Sequence, residues 1–238
     1  AAMAAYQAGQ KGFAGLHLEG PHLDPRRHGA HDPALIRPMT AEDLALYLRA
    51  AAALPALKIT LAPEAASPGQ ISALARAGVV VSLGHSDCSY EAARAAFAAG
   101  ARCVTHLFNA MSPLGHRAPG LVGAALDSGV AAGLIADGVH VADPALRLAL
   151  KASDRLFLVS DSMAVAGSDL TEFTLGGRRI LRRDGRLTLA DGTLAGADIS
   201  LPQAVANLVA AGCGLERALA MATGLPAALI GAEPGGFL

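Results

Sequence analysis

Short apolar runs alternate with helix-like segments along this chain, and five of those runs end on a residue able to bind a metal or move a proton: Glu19, His85, His106, Asp137 with His140, and Asp161. Such alternation calls for parallel strands joined by helical crossovers, because a tight turn cannot connect parallel neighbours. In a barrel built this way the strand ends converge on one mouth, so groups distant in sequence meet around one substrate. The order of elements therefore points to both a fold and a place for chemistry.

Strands are expected at 12–18, 57–61, 79–83, 101–105, 130–136 and 155–160. Thr40 with Asp43, Ser67 with Gln70 and Ser200 with Gln203 read as capping boxes, and Asp143-Pro144 reads as an N-cap followed by a proline at the first helical position. A helix at 215–222 is expected to be the last. After Asp161 the periodicity changes to two, with Gly176-Gly177, Asp184-Gly185 and Asp191-Gly192 as turns, which predicts a small antiparallel excursion at about 172–194. Six strand-helix units are visible, two short of the eight that close a barrel. The expected fold class is α/β, a TIM-like (β/α)8 barrel forming one catalytic domain over 1–238, with two strands absent.

With 238 residues, 53% of them hydrophobic and 16% charged, the chain can bury one substantial core. A formal charge of -1 without a basic block offers no electrostatic footprint for nucleic acid or an anionic membrane, and the apolar stretches are too short to span a bilayer. A small-molecule site is the remaining expectation. Cys88, Cys103 and Cys213 are odd in number and lack CxxC spacing, which suits a reducing, cytoplasmic compartment. No signal peptide precedes the first strand, and the alanine-rich start reads as the inside of a helix, so the true N-terminus is expected upstream.

A carboxylate and two neutral imidazoles suit a borderline divalent cation and leave an open position for water or a substrate oxygen. Glu19, His85 and His106 are the expected ligands. Singly, each has a plainer reading, since a histidine at a strand end is usually a hydrogen-bonded core or surface residue; the combination favours ligation. Asp161 follows Phe157-Leu158-Val159-Ser160, where an unpaired ionised carboxylate is costly to bury. A general base is preferred there over a structural ion pair.

The segments Leu16-His17-Leu18-Glu19-Gly20-Pro21, Gly84-His85-Ser86, Thr105-His106-Leu107-Phe108-Asn109-Ala110-Met111, Ala136-Asp137-Gly138-Val139-His140-Val141 and Val159-Ser160-Asp161 resemble consecutive motifs of the N-acetylglucosamine-6-phosphate deacetylase family, in the amidohydrolase superfamily. The likeness runs from about residue 12 to 231. It implies a barrel of the metal-dependent hydrolase type that hydrolyses the acetamide of N-acetylglucosamine 6-phosphate to glucosamine 6-phosphate and acetate, in amino-sugar catabolism. It implies one divalent ion per chain on Glu19, His85 and His106, zinc first, with iron, manganese or cobalt as substitutes. Asp161 would take the water proton and return it to the departing amine, and His140 would donate to the carbonyl oxygen, its plainer reading being a sugar-hydroxyl contact. By the same resemblance Asn109, the Ala110 backbone amide, Arg117 and His31 hold the sugar phosphate, Arg117 through a planar fork suited to phosphate oxygens. The plainer reading of Arg117 is a solvated loop arginine. His22, His28 and His116 match nothing functional, and His17 is expected to face the barrel interior or its wall. The implied partners are a phosphosugar and a second copy in a homodimer, with neither nucleic acid nor membrane.

Members of that family are longer, with an upstream segment supplying two strands and part of a β-sandwich and a downstream segment completing the sandwich. The superfamily's His-x-His motif is absent with them, so a second metal has no support, and the chain is read as incomplete. An open six-stranded barrel would expose two strand edges. Two other functions are weighed: a related amidohydrolase acting on another amide or cyclic imide, against which Asn109 and Arg117 argue, and a non-catalytic sugar-phosphate binding fragment.

Overall fold

The computed structural model describes residues 2–233, so the outer limits expected for the domain, and the tail beyond Glu233, lie outside the described residues. Six parallel strands, β1 (Leu16–Glu19), β2 (Leu57–Leu61), β3 (Val80–Leu83), β4 (Cys103–Val104), β5 (Ala131–Leu134) and β6 (Leu156–Leu158), pair in sequence order. Every strand expected from the sequence is present: β2 has its expected bounds, β1 starts later and runs one residue further, and the other four are trimmed at one or both ends. Ile59, Leu61, Val81, Leu83, Val104, Leu134, Leu156 and Leu158 pack into the main core beneath the helices. Alternate residues point to the inner face, as the two-residue period of a strand requires. There His17, Thr60, Thr105 and Ser82 form a chain of hydrogen bonds, each 2.7 Å long.

The sheet is strongly curled. Lys58 on β2 and Phe157 on β6 are four strand spacings apart, roughly 19 Å on a flat sheet. Yet the Lys58 ammonium lies 5.5 Å from the centre of the Phe157 ring. Among the described residues β1 and β6 do not pair with each other, and they form the sheet's edges.

Helices α1 (Ala2–Gln7), α2 (Ala41–Ala53), α3 (Pro68–Arg76), α4 (Tyr90–Ala98), α5 (Gly120–Ser128) and α6 (Asp143–Ala152) precede or join the strands, and α7 (Leu201–Ala210), α8 (Leu215–Ala222) and α9 (Gly224–Ile230) pack on β6. The capping boxes of Thr40 with Asp43 and Ser67 with Gln70 are both complete. Only half of the third forms: Ser200 accepts from the Gln203 amide, but the Gln203 side chain turns to Asn207. Ala142, not Asp143, occupies the N-cap of α6, which places Pro144 one residue deeper. Two helices lie beyond the sequence expectation. Glycines at 120 and 123 disguise α5, although most of its residues are buried. The helix expected to be last is followed at once by α9, whose Leu225, Leu229 and Ile230 cover Val80, Cys103 and Phe157 on the inner face.

After β6 the chain builds a separate antiparallel sheet of β7 (Glu172–Leu175), β8 (Arg178–Arg183), β9 (Arg186–Thr188) and β10 (Leu194–Ala197), slightly longer than the excursion expected. It has its own small core of Val165, Ile180, Leu187 and Leu189. A bridge between Ser162 and Ala197 ties it to the end of β6. No helix among the described residues is long and apolar enough to cross a membrane.

Gly84 closes β3 against its neighbours: a Cβ there would lie 2.9 Å from Thr60 Cγ2 and 3.1 Å from Thr105 Cβ. Both atoms belong to hydrogen-bonded residues of packed strands and have little room to yield. Gly84→Ala should therefore destabilise the fold by about 1–3 kcal/mol, the usual cost of overpacking, read by urea denaturation. An unchanged midpoint would show that these strands are not pressed against Gly84.

Candidate active site

Parallel register aligns the strand ends. Leu83 of β3 stands opposite Val104 of β4, so His85 and His106, each two residues further on, emerge side by side. Glu19 is the last residue of β1, and the curl brings it to them. Five of the six described non-glycine residues with positive φ cluster at this mouth: His85 at 48°, His106 at 32°, Phe108 at 77°, Ala110 at 48° and Asp161 at 45°. Such conformations cost of order 1–3 kcal/mol each and persist where the surroundings over-determine them, typically at functional sites.

Glu19 Oε1 lies 3.0 Å from His85 Nε2 and 3.0 Å from His106 Nε2, and the two nitrogens are 3.1 Å apart. His85 Nδ1 is 2.7 Å from the Arg27 carbonyl, to which it donates, so its Nε2 faces Glu19 and His106 with a lone pair when the ring is neutral. Three donor atoms in a tight triangle match a tetrahedral cation with bonds of about 2.0–2.2 Å, whose ligands sit roughly 3.3 Å apart. The donor set fits a divalent metal, and these residues are the described group that could hold one. Burial alone would raise the Glu19 pKa, but hydrogen bonds from both histidines and their charge hold it far below the carboxylate range. Burial pulls His106 down, while Glu19, with help from Asp161, carries it above its ordinary value. The cluster is built to hold positive charge.

Asp137 and His140 follow β5 and are both nearly buried. Asp137 Oδ1 accepts the amides of Val139 at 2.9 Å and His140 at 2.8 Å, and Oδ2 accepts His140 Nδ1–H at 2.6 Å. His140 Nε2 lies 3.2 Å from the Ala195 carbonyl of β10. Burial disfavours the imidazolium, yet the hydrogen bond and charge of Asp137 raise the His140 pKa overall. Burial likewise raises Asp161, against the opposing charge of His106. The Asp161 carboxyl therefore holds its proton more readily than an ordinary one.

A cavity of about 710 Å³ collects Glu19, His31, His85, His106, Asn109, Ala110, His140 and Asp161, under a roof that includes Ala195, Gly196 and Arg178 of the small sheet. The His31 ring meets His85 edge-on at 4.6 Å, and its pKa falls to about 4, mainly through burial. Arg117 is not brought there: it is exposed in the segment between Met111 and α5. His22 is a core residue bound to Tyr47 at 2.8 Å and to the Arg37 carbonyl at 3.0 Å. His17 lies on the inner face, where burial lowers its pKa to about 4, and His116 is exposed. Arg27, Ala195 and Arg178 escape the sequence reading. The first two act through backbone carbonyls, which carry no residue signature, and Arg178 enters only because the small sheet folds back over the mouth.

The profile of the amidohydrolase family matches residues 2–236. An N-acetylgalactosamine-6-phosphate deacetylase of Shewanella sp. (strain ANA-3) is 42% identical over 224 residues, covering 92% of this chain and 56% of that protein. The N-acetylglucosamine-6-phosphate deacetylase of Haemophilus influenzae is 39% identical over 224 residues, covering 92% and 58%. The crystal structure of N-acetylglucosamine-6-phosphate deacetylase from Pasteurella multocida matches with a TM-score of 0.93 at 38% identity, covering 99% of this chain and 63% of that one. The chain thus spans little more than half the length of these curated relatives.

The Asp137–His140 pair sets a pH dependence. His140 has a raised folded pKa, so its contribution is complete below the unfolded value of 6.5 and is lost as pH rises through the folded one. Asp137 has a lowered folded pKa, so its contribution holds above 3.8 and is lost as pH falls through the folded value. Asp137→Asn should cost about 1.5–3 kcal/mol at about pH 5.5, the range for a hydrogen bond to a charged group, and clearly less at about pH 9. Urea denaturation of both proteins at the two pH values checks this. An equal loss at both would mean that Asp137 does not hold His140 in its protonated form.

Proposed function

Because the chain belongs to the amidohydrolase family, we propose that it carries the catalytic core of a deacetylase, hydrolysing the acetamide of N-acetylglucosamine 6-phosphate to glucosamine 6-phosphate and acetate. The observation that carries this reading is the meeting of Glu19, His85, His106 and Asp161 in one cavity. The names of the relatives support it. The Shewanella relative favours a second reading in which the galacto epimer is the substrate, the two sugars differing only at the 4-hydroxyl. We read the curled sheet as six of the eight strands of a TIM-like barrel, within one catalytic domain.

Glu19, His85 and His106 would hold one divalent ion, for which zinc is proposed, with iron, manganese or cobalt as substitutes. An ion bound there would supply Lewis-acid chemistry, polarising the acetyl carbonyl and lowering the pKa of a water molecule. Asp161 accepts the water proton and passes it to the amine nitrogen, a poor leaving group until protonated. His140, held by Asp137, turns its Nε2–H from the Ala195 carbonyl to the acetyl oxygen as negative charge grows there. Asn109, the Ala110 amide and His31 line the cavity and are proposed as phosphate contacts. The homodimer expected from the sequence enters as an arrangement in which Arg117, exposed outside its own cavity, could serve a second copy. Three free, buried cysteines accord with the proposed cytoplasmic compartment.

In the full-length protein, chelation should abolish deacetylation, and one equivalent of zinc per chain should restore it. Asp161→Asn should keep metal and substrate binding while turnover falls about 10²- to 10⁴-fold. Residual turnover above about a tenth would pass the role to another group, His140 first. Unchanged metal content in His106→Ala would remove the ligand assignment.

A further inference from the structure

We propose that Arg178, the first residue of β8, reads the anionic end of the substrate from the roof of the cavity; the inference rests on the phosphosugar reading above. Three arginines are among the lining residues: Arg26, Arg27 and Arg178. Two are already committed to carboxylates. Arg26 binds Asp24 through Nε at 2.9 Å and lies 3.4 Å from both Glu64 and Asp87, and Arg27 binds Asp87 at 2.6 Å. These pairs brace the loop whose Arg27 carbonyl orients His85.

Arg178 differs. Among the described residues it has no carboxylate partner, it donates one Nη–H to the Ala30 carbonyl, and its Nε is buried without an acceptor. A buried donor left unmade calls for a partner, and a planar guanidinium is matched by phosphate, which takes two parallel N–H bonds. Ala30 precedes His31, so the Arg178 fork is held at the wall where the phosphate is proposed to lie. The expected reader, Arg117, is outside this cavity. The geometry thus makes the small sheet a source of specificity as well as a cover.

Steady-state kinetics of the full-length protein on N-acetylglucosamine 6-phosphate and on the unphosphorylated sugar test this for wild type, Arg178→Ala, Arg178→Gln, Arg178→Lys and Arg117→Ala. Arg178→Ala should raise KM for the phosphorylated sugar about ten- to a hundred-fold, leave kcat within a few-fold, and barely affect the unphosphorylated one. Arg178→Lys should recover part of the loss, as a point charge without the fork. Inhibition by inorganic phosphate should weaken in parallel. If Arg178→Ala fails to fold, Arg178→Gln, which retains a donor for the Ala30 carbonyl, replaces it. A preference for the phosphate retained in the Arg178 variants, or lost only in Arg117→Ala, overturns the inference alone. A wild type that shows no such preference overturns the phosphosugar reading and the inference with it.

Discussion

Everything at the mouth of this sheet depends on bringing two imidazole nitrogens to 3.1 Å of one another with a carboxylate oxygen 3.0 Å from both. Two nitrogen lone pairs at that distance repel unless something positive lies between them, and Glu19 supplies the matching negative charge. The fold meets this demand by register. Parallel pairing puts Leu83 opposite Val104, so the next two residues of each strand run together, and the left-handed backbone at His85 and His106 marks where the chain turns out of the sheet. Curling then delivers Glu19 from the edge strand.

Orientation is a second requirement, and it is met from behind. The His85 ring is fixed by the Arg27 carbonyl, and the loop bearing that carbonyl is fastened by Arg26 and Arg27 to Asp24, Glu64 and Asp87. Asp24 is itself buried at 2% exposure, so its carboxylate depends on the hydrogen bonds it accepts from the Arg26 side chain and backbone amide. Asp137 does the same for His140, using backbone amides to set the carboxylate and the carboxylate to set the ring. Across the mouth, short polar contacts convert loose loops into fixed donors.

Much of this was legible in the residues. The strand cores at 57–61 and 79–83 announced themselves through continuous apolar runs, and Thr40 with Asp43 or Ser67 with Gln70 announced helices through reciprocal caps. Glu19, His85, His106, Asp161 and His140 could be singled out because each follows such a strand. What stayed hidden has physical causes. Helix α9 has no side-chain cap and follows α8 without a loop, so no start signal marks it. Gln203 chose Asn207 over its own helix start, a competition between two local partners that spacing does not decide. Arg117 and Arg178 are chemically alike, and only the path of the loops settles which lies in the cavity.

The roof over that cavity hangs from the curled sheet at the end of β6 and at the Ser162–Ala197 bridge, and it is stabilised by a core of its own. A part with a private core can be exchanged without repacking its host. The clustered carboxylates and histidines reside in the strand ends beneath, whereas Ala195, Gly196 and Arg178 line the cavity from above. Such a division makes the molecule modular: the covering hairpin array can be regrafted or reshaped while the strand ends beneath keep their geometry.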